Sequence, residues 1–105
     1  MYKVKITVLK KAFYPDLAAQ YLNGADFDCP CMQVGDTFVA GGMMDMPEGF
    51  CAMAWQDLYP NVIALSRGGG YGPYTKEDHS FIACCTDGVR PVTFLLERGE
   101  EETDA

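Results

Sequence analysis

"HSFIACCTDGVRPVTFLLER", residues 79–98, decides how this chain folds. Two apolar runs, "HSFIACCT" and "VRPVTFLLER", flank Asp87-Gly88. Such a pair supplies the positive φ angles of a tight turn, so the stretch predicts a β-hairpin. Pro91 has no amide hydrogen for a ladder, which puts the second strand at a sheet edge there. Side by side in the first strand stand Cys84 and Cys85. Successive strand residues face opposite ways, so one thiol joins the core and the other points away; the alternation does not say which. A disulfide between these neighbours would distort the peptide that joins them.

Upstream, residues 2–9 alternate, with Tyr2, Val4, Ile6 and Val8 on one side and Lys3, Lys5 and Thr7 on the other. This is the pattern of a half-exposed strand. "YPDLAAQYLNG" (14–24) reads as a short helix, with Pro15 at its first position, Asp16 favoured by the dipole and Gly24 to close it. "DFDCPCMQ" (26–33) is a loop, because Pro30 interrupts regular pairing, and "VGDTFVA" (34–40) turns into a second strand. Beyond the loop "GGMMDMPEG" (41–49), Cys51, Trp55, Leu58, Val62 and Leu65 recur along one helical face. Pro60 within that face predicts a kink or two abutting helices, and Gly68 a C-terminal cap. The order β-α-β-α-β-β implies an α+β two-layer sandwich, four short strands with two helices on one face. Residues 1–98 form one domain, and the acidic residues 99–105 are expected to fray as a tail.

Fifteen acidic against eight basic residues give a net charge of −7. Without a basic surface, such a chain repels phosphate backbones, which argues against nucleic acid as a partner. No apolar run reaches the length of a membrane span or a signal peptide, so the expectation is a cytoplasmic protein without a membrane partner. Thiols stay reduced in that compartment, and five cysteines cannot all pair.

Those five cysteines are the main chemical signal. Cys29 and Cys31, in "CPC", sit one residue apart beside Asp26 and Asp28; in an extended segment both sulfurs point the same way and could grip one metal ion. The spacing is tighter than that of zinc knuckles, and nearby carboxylates raise a thiol pKa. Cys51 opens the main helix, where the dipole favours a thiolate, yet it also begins the apolar face and could be plain core. If Cys51 and Cys84 or Cys85 join the 29/31 pair, four sulfurs make a tetrahedral set for zinc or an iron–sulfur cluster, or a redox centre. The metal-ligand set so expected is Cys29, Cys31, Cys51 and Cys84, with Cys51, Cys84 and Cys85 as the thiol site.

The remaining signals are weaker. "RGGGYG" (67–72) follows a helix instead of opening one, so it is read as a helix stop and not as a phosphate loop. His79 is the single histidine, before a strand. Trp55, Asp57, His79 and Arg90 are candidates for lining a pocket between the Met-rich and glycine-rich loops, though no ordered catalytic set emerges and enzyme activity is left open. Met43, Met44, Met46 and Met53 make an adaptable apolar surface, for a homo-oligomer contact or another protein.

Taken together, "KVKITVLK", "MPEGFCAMAWQDLYP", "ALSRGGG" and "IACCTDGVRPVTFLLER" resemble a family of small, functionally uncharacterised prokaryotic proteins often found in anaerobes. The family pattern is GFC-x-WAW-x-D-I-Y, a Gly-Gly after the helix, and CCTDG-x-RPV-x-F. Met53 stands here in place of its Trp, and Leu58 in place of its Ile. The resemblance spans the chain apart from the acidic tail. It implies a cytosolic single domain, places Cys51, Trp55, Asp57, Cys84, Cys85, Asp87, Gly88, Arg90 and Pro91 on the motifs, and brings no reaction with it.

Overall fold

The structure is a computed structural model that describes residues 1–24, 27–41 and 43–101. Six elements follow in order: β1 (Tyr2–Lys11), α1 (Pro15–Tyr21), β2 (Thr37–Ala40), α2 (Ala52–Ser66), β3 (Ser80–Cys84) and β4 (Val92–Glu101). This is the expected α+β order. The strands form one antiparallel sheet, β2-β1-β4-β3. β1 and β4, ten residues each, are longer than expected and pair along their length, interrupted by register shifts at Tyr2/Val4 and Val8/Lys10.

The period-2 pattern does what it should. Val4, Ile6 and Val8 of β1 and Val92, Phe94 and Leu96 of β4 all turn to one face and are buried. α2 lies across that face with Ala54, Leu58, Val62 and Leu65. Loop residues Met32, Met44 and Phe50 complete the core. Burial of that apolar surface is the main driving force for this domain. α1 contributes only Ala18 to the interior and sits at the periphery. α2 therefore provides the helical layer almost alone.

Several local expectations change in physically simple ways. α2 runs unbroken through Pro60; Pro60 and Gln56, the residue whose carbonyl loses its helical donor, are both exposed. Gly68, at φ 89°, ends the helix; its N–H bonds the Leu65 carbonyl and that of Gly69 bonds Ala64. The hairpin between β3 and β4 has no two-residue turn. Residues 85–91 connect the strands, neither Asp87 nor Gly88 has a positive φ, and the bend is held by the Asp87 carboxylate. Its Oδ1 accepts from the Val89 and Arg90 amides, both at 2.9 Å. Pro91 is not at a sheet edge: it precedes β4, an interior strand, and its missing N–H falls outside the ladder while its carbonyl accepts from Ala12. Residues 99–101 belong to β4, with Glu101 opposite Tyr2, because β1 supplies a partner that the acidic composition did not reveal. Asp26 and residues 102–105 lie outside the described residues. Among the described residues, no helix is long and apolar enough to cross a membrane.

Candidate thiol pocket

Three separate segments bring cysteines to one cavity at the end of the sheet covered by α2. Cys29 and Cys31 come from the loop before β2, Cys51 from the N-cap of α2, and Cys85 from the residue after β3; all four line a pocket of about 220 Å³. Met32, Ala54, Val92 and Phe94 form its apolar wall, and Asp87 and Arg90 stand among its few polar groups.

Each cysteine arrives for an identifiable reason. The loop bearing Cys29 and Cys31 is tied down by a Lys11–Asp28 ion pair at 3.4 Å and by the Arg90 guanidinium, 5.5 Å above the Phe27 ring. Met32, fully buried, plugs its far end into the core. Cys51 takes an extended conformation as the N-cap, and its carbonyl accepts the first helical bond, from Trp55. Its thiol makes no capping hydrogen bond. Cys85 extends the β3–β4 ladder by one rung: its N–H bonds the Val92 carbonyl, and the Val92 N–H bonds its sulfur at 3.3 Å. The sulfur thus stands where a strand carbonyl would otherwise accept.

Cys84 is not part of this pocket. Phe81, Ala83 and Cys85 pack on the core, while Ile82 and Cys84 are exposed on the opposite face. Of the cysteines expected together from sequence, Cys29, Cys31 and Cys51 line the pocket and Cys84 does not; Cys85 lines it instead, because the pleat sends neighbours to opposite sides.

Charge inside the pocket is mutually opposed. The Cys31 thiol is pushed up from its ordinary value, first by negative charge at Cys29, then by burial and by its hydrogen bond with Cys29; Cys51 adds to this and the Arg90 charge works against it. A thiolate at Cys31 is therefore disfavoured. The Cys84 thiol is also raised, by the partial burial of its sulfur and then by Cys85. Asp87 moves the other way, held below the usual carboxylate range by the Arg90 and Val89 amides. Among the described residues, no three Cys, His, Asp or Glu side chains are gathered as a ready metal site. The four sulfurs ring a cavity and do not converge on a point.

The other expected site residues are dispersed. Arg90 alone of that group lines the pocket. Trp55 packs edge-on against Phe50 and Tyr59, with ring centroids 6.1 and 5.5 Å away. Asp57 is partly buried on α2, and its Oδ2 has no hydrogen-bond partner. His79 contacts Glu77 at 2.9 Å in the turn before β3. Met53 lines the pocket and is largely exposed, whereas Met44 is core and Met43 and Met46 face outward. Sequence reasoning did not find Met32 or Thr86 as pocket residues; only the position of Met32 one residue beyond "CPC" pointed that way.

Comparison with family models, curated proteins and solved structures returns no match to this chain.

Proposed function

We propose that this protein is a cysteine-centred domain whose pocket binds a soft metal ion through Cys29, Cys31, Cys51 and Cys85. One observation carries the reading: four thiols from three segments distant in sequence line the same cavity. The donor chemistry is consistent. Among the described residues, the wall offers sulfur from cysteine and methionine, no imidazole, and one carboxylate that is already engaged by backbone amides. Soft thiolate donors select zinc, copper(I) or iron–sulfur clusters over hard cations. A cation also relieves the repulsion that keeps Cys31 protonated, since ligand thiols bind deprotonated. The reading implies a reducing compartment, the cytoplasm, where such thiols remain free.

Anaerobic purification, elemental analysis and a thiol count test it. The expected result is bound zinc or iron, or stoichiometric uptake of added zinc, lost when Cys29 and Cys31 are both changed to Ser. A metal-free protein with five titrating thiols that takes up neither zinc nor copper(I) overturns it.

A second reading, a non-catalytic module that assembles with itself, is favoured by the exposure of Met43, Met46 and Met53, at 83%, 41% and 64%. Light scattering across a concentration series decides it, and a strict monomer counts against it.

A further inference from the structure

We propose that the same pocket also admits a small organic anion, of the class of thiols that carry a carboxylate, with its carboxylate on Arg90 and its sulfur among Cys29, Cys31 and Cys51. This rests on the pocket being thiol-centred, as argued above, and not on a metal being present.

Size is the first observation. A cavity of about 220 Å³ exceeds several times the roughly 30 Å³ share of one water molecule, so a lone ion held by sulfur leaves most of it unfilled. An apolar cavity with a few convergent polar groups is the ordinary form of a small-molecule site.

The second is the division of chemistry within it. Sulfur and hydrocarbon line the interior, and the one cation in the lining is Arg90. The nearby described carboxylates are already compensated, Asp28 by Lys11 and Asp87 by two amide donors. Arg90 is held but not consumed. Its Nε pairs by charge with Asp87 Oδ2 at 3.8 Å, too long for a hydrogen bond, and its Cζ lies 5.5 Å from the centre of the Phe27 ring. Among the described residues, its guanidinium donates no hydrogen bond within the protein. Such a fork, placed over an aromatic ring, matches a carboxylate with two parallel N–H donors. An anion seated there presents its other end to the sulfurs, where a thiol finds polarisable partners.

The experiment uses reduced, metal-free full-length protein and a matched pair of reagents, iodoacetate and iodoacetamide, of similar size and different charge. Alkylation rates are read at each cysteine by peptide mass spectrometry. The iodoacetate-to-iodoacetamide ratio at Cys29, Cys31 and Cys51 should exceed that at Cys84. It should fall about two- to fivefold in Arg90→Gln, the range of a partly exposed ion pair, and fall less in Arg90→Lys, which keeps the charge without the planar fork. Mercaptoacetate should slow iodoacetamide labelling of these cysteines relative to Cys84, the internal reference for reagent consumed by the added thiol, at concentrations where 2-mercaptoethanol does not. A ratio unchanged by Arg90→Gln, equal protection by the two thiols, or pocket cysteines inert to both reagents would each overturn the inference. Metal uptake is scored separately: a protein that takes zinc without anion preference loses this inference alone, and one that shows the preference but takes no metal loses only the metal assignment.

Discussion

The two faces of the sheet carry similar residues and lead opposite lives. On the covered face Val4, Ile6, Phe94 and Leu96 have no exposure, and the cavity between Val92, Phe94, the "CPC" loop and the start of α2 is lined with sulfur. On the bare face Val39 and Ile82 are each 56% exposed, and Cys84 stands among them. Cys84 and Cys85 are adjacent in sequence and share a chemical type. Only Cys85 meets a backbone donor, an apolar wall and three other thiols. What separates the two faces is α2 and the loops, which cover one side alone. Residue type supplies the thiol, and the covering layer supplies its chemistry.

The sharpest way to break the comparison is to remove a large side chain from each face. Phe94→Ala should cost about 3–5 kcal/mol, since Phe94 is fully buried and tilts against Phe50 at 5.6 Å. Against a total of roughly 5–15 kcal/mol for a domain of this kind, the variant should be close to unfolded at 25 °C. Urea denaturation followed by circular dichroism reads this directly. Ile82→Thr on the bare face should change stability by about 0.5 kcal/mol or less, and a cost near that of Phe94→Ala would mean that a partner covers the face in solution.

The paired cysteines sharpen the contrast in function. Cys85→Ser should weaken zinc binding by about tenfold or more, the smallest loss expected for a perturbed ligand set, while Cys84→Ser should leave it unchanged. Competition with a chromogenic chelator measures both; equal effects would erase the distinction between the faces. Without metal, a bulky maleimide should label Cys84 before Cys85, as their exposure requires.

Smaller still is the effect expected in the connection 85–91. Asp87→Ala should cost about 1 kcal/mol, because two amide hydrogen bonds are lost but solvent reaches the partly exposed site. The folded pKa of Asp87 is depressed, so its contribution is complete above the ordinary carboxylate range and fades as pH falls through the lowered folded value. Wild type and Asp87→Ala should therefore differ in melting temperature at neutral pH and converge in strong acid. A difference that grows on acidification would reverse the sign assigned to that carboxylate.

The element order was legible because each element is locally consistent. The alternation of Val4, Ile6 and Val8 and the helical spacing of Leu58, Val62 and Leu65 depend only on neighbours along the chain. Boundaries set by distant partners were less legible. Residues 99–101 pair because β1 is long enough to meet them, and Pro91 escapes the sheet edge because β3 lies outside β4. The hairpin was correctly placed, yet its turn was misread, because an Asp-Gly dipeptide serves equally as a tight turn or as a carboxylate cap on a longer loop.

By itself the sequence determined the strand and helix order, the acidic charge, the number of thiols and the rule that Cys84 and Cys85 must face apart. Tertiary structure alone decided that Cys85 is the inward one, that "CPC" folds over the start of α2, and that Arg90 rather than Trp55, Asp57 or His79 stands with the sulfurs. Periodicity is a local property of the backbone, written in neighbouring residues. A pocket is assembled by contacts between segments far apart in the chain, and these are set by how the helix and loops cover one side of the sheet.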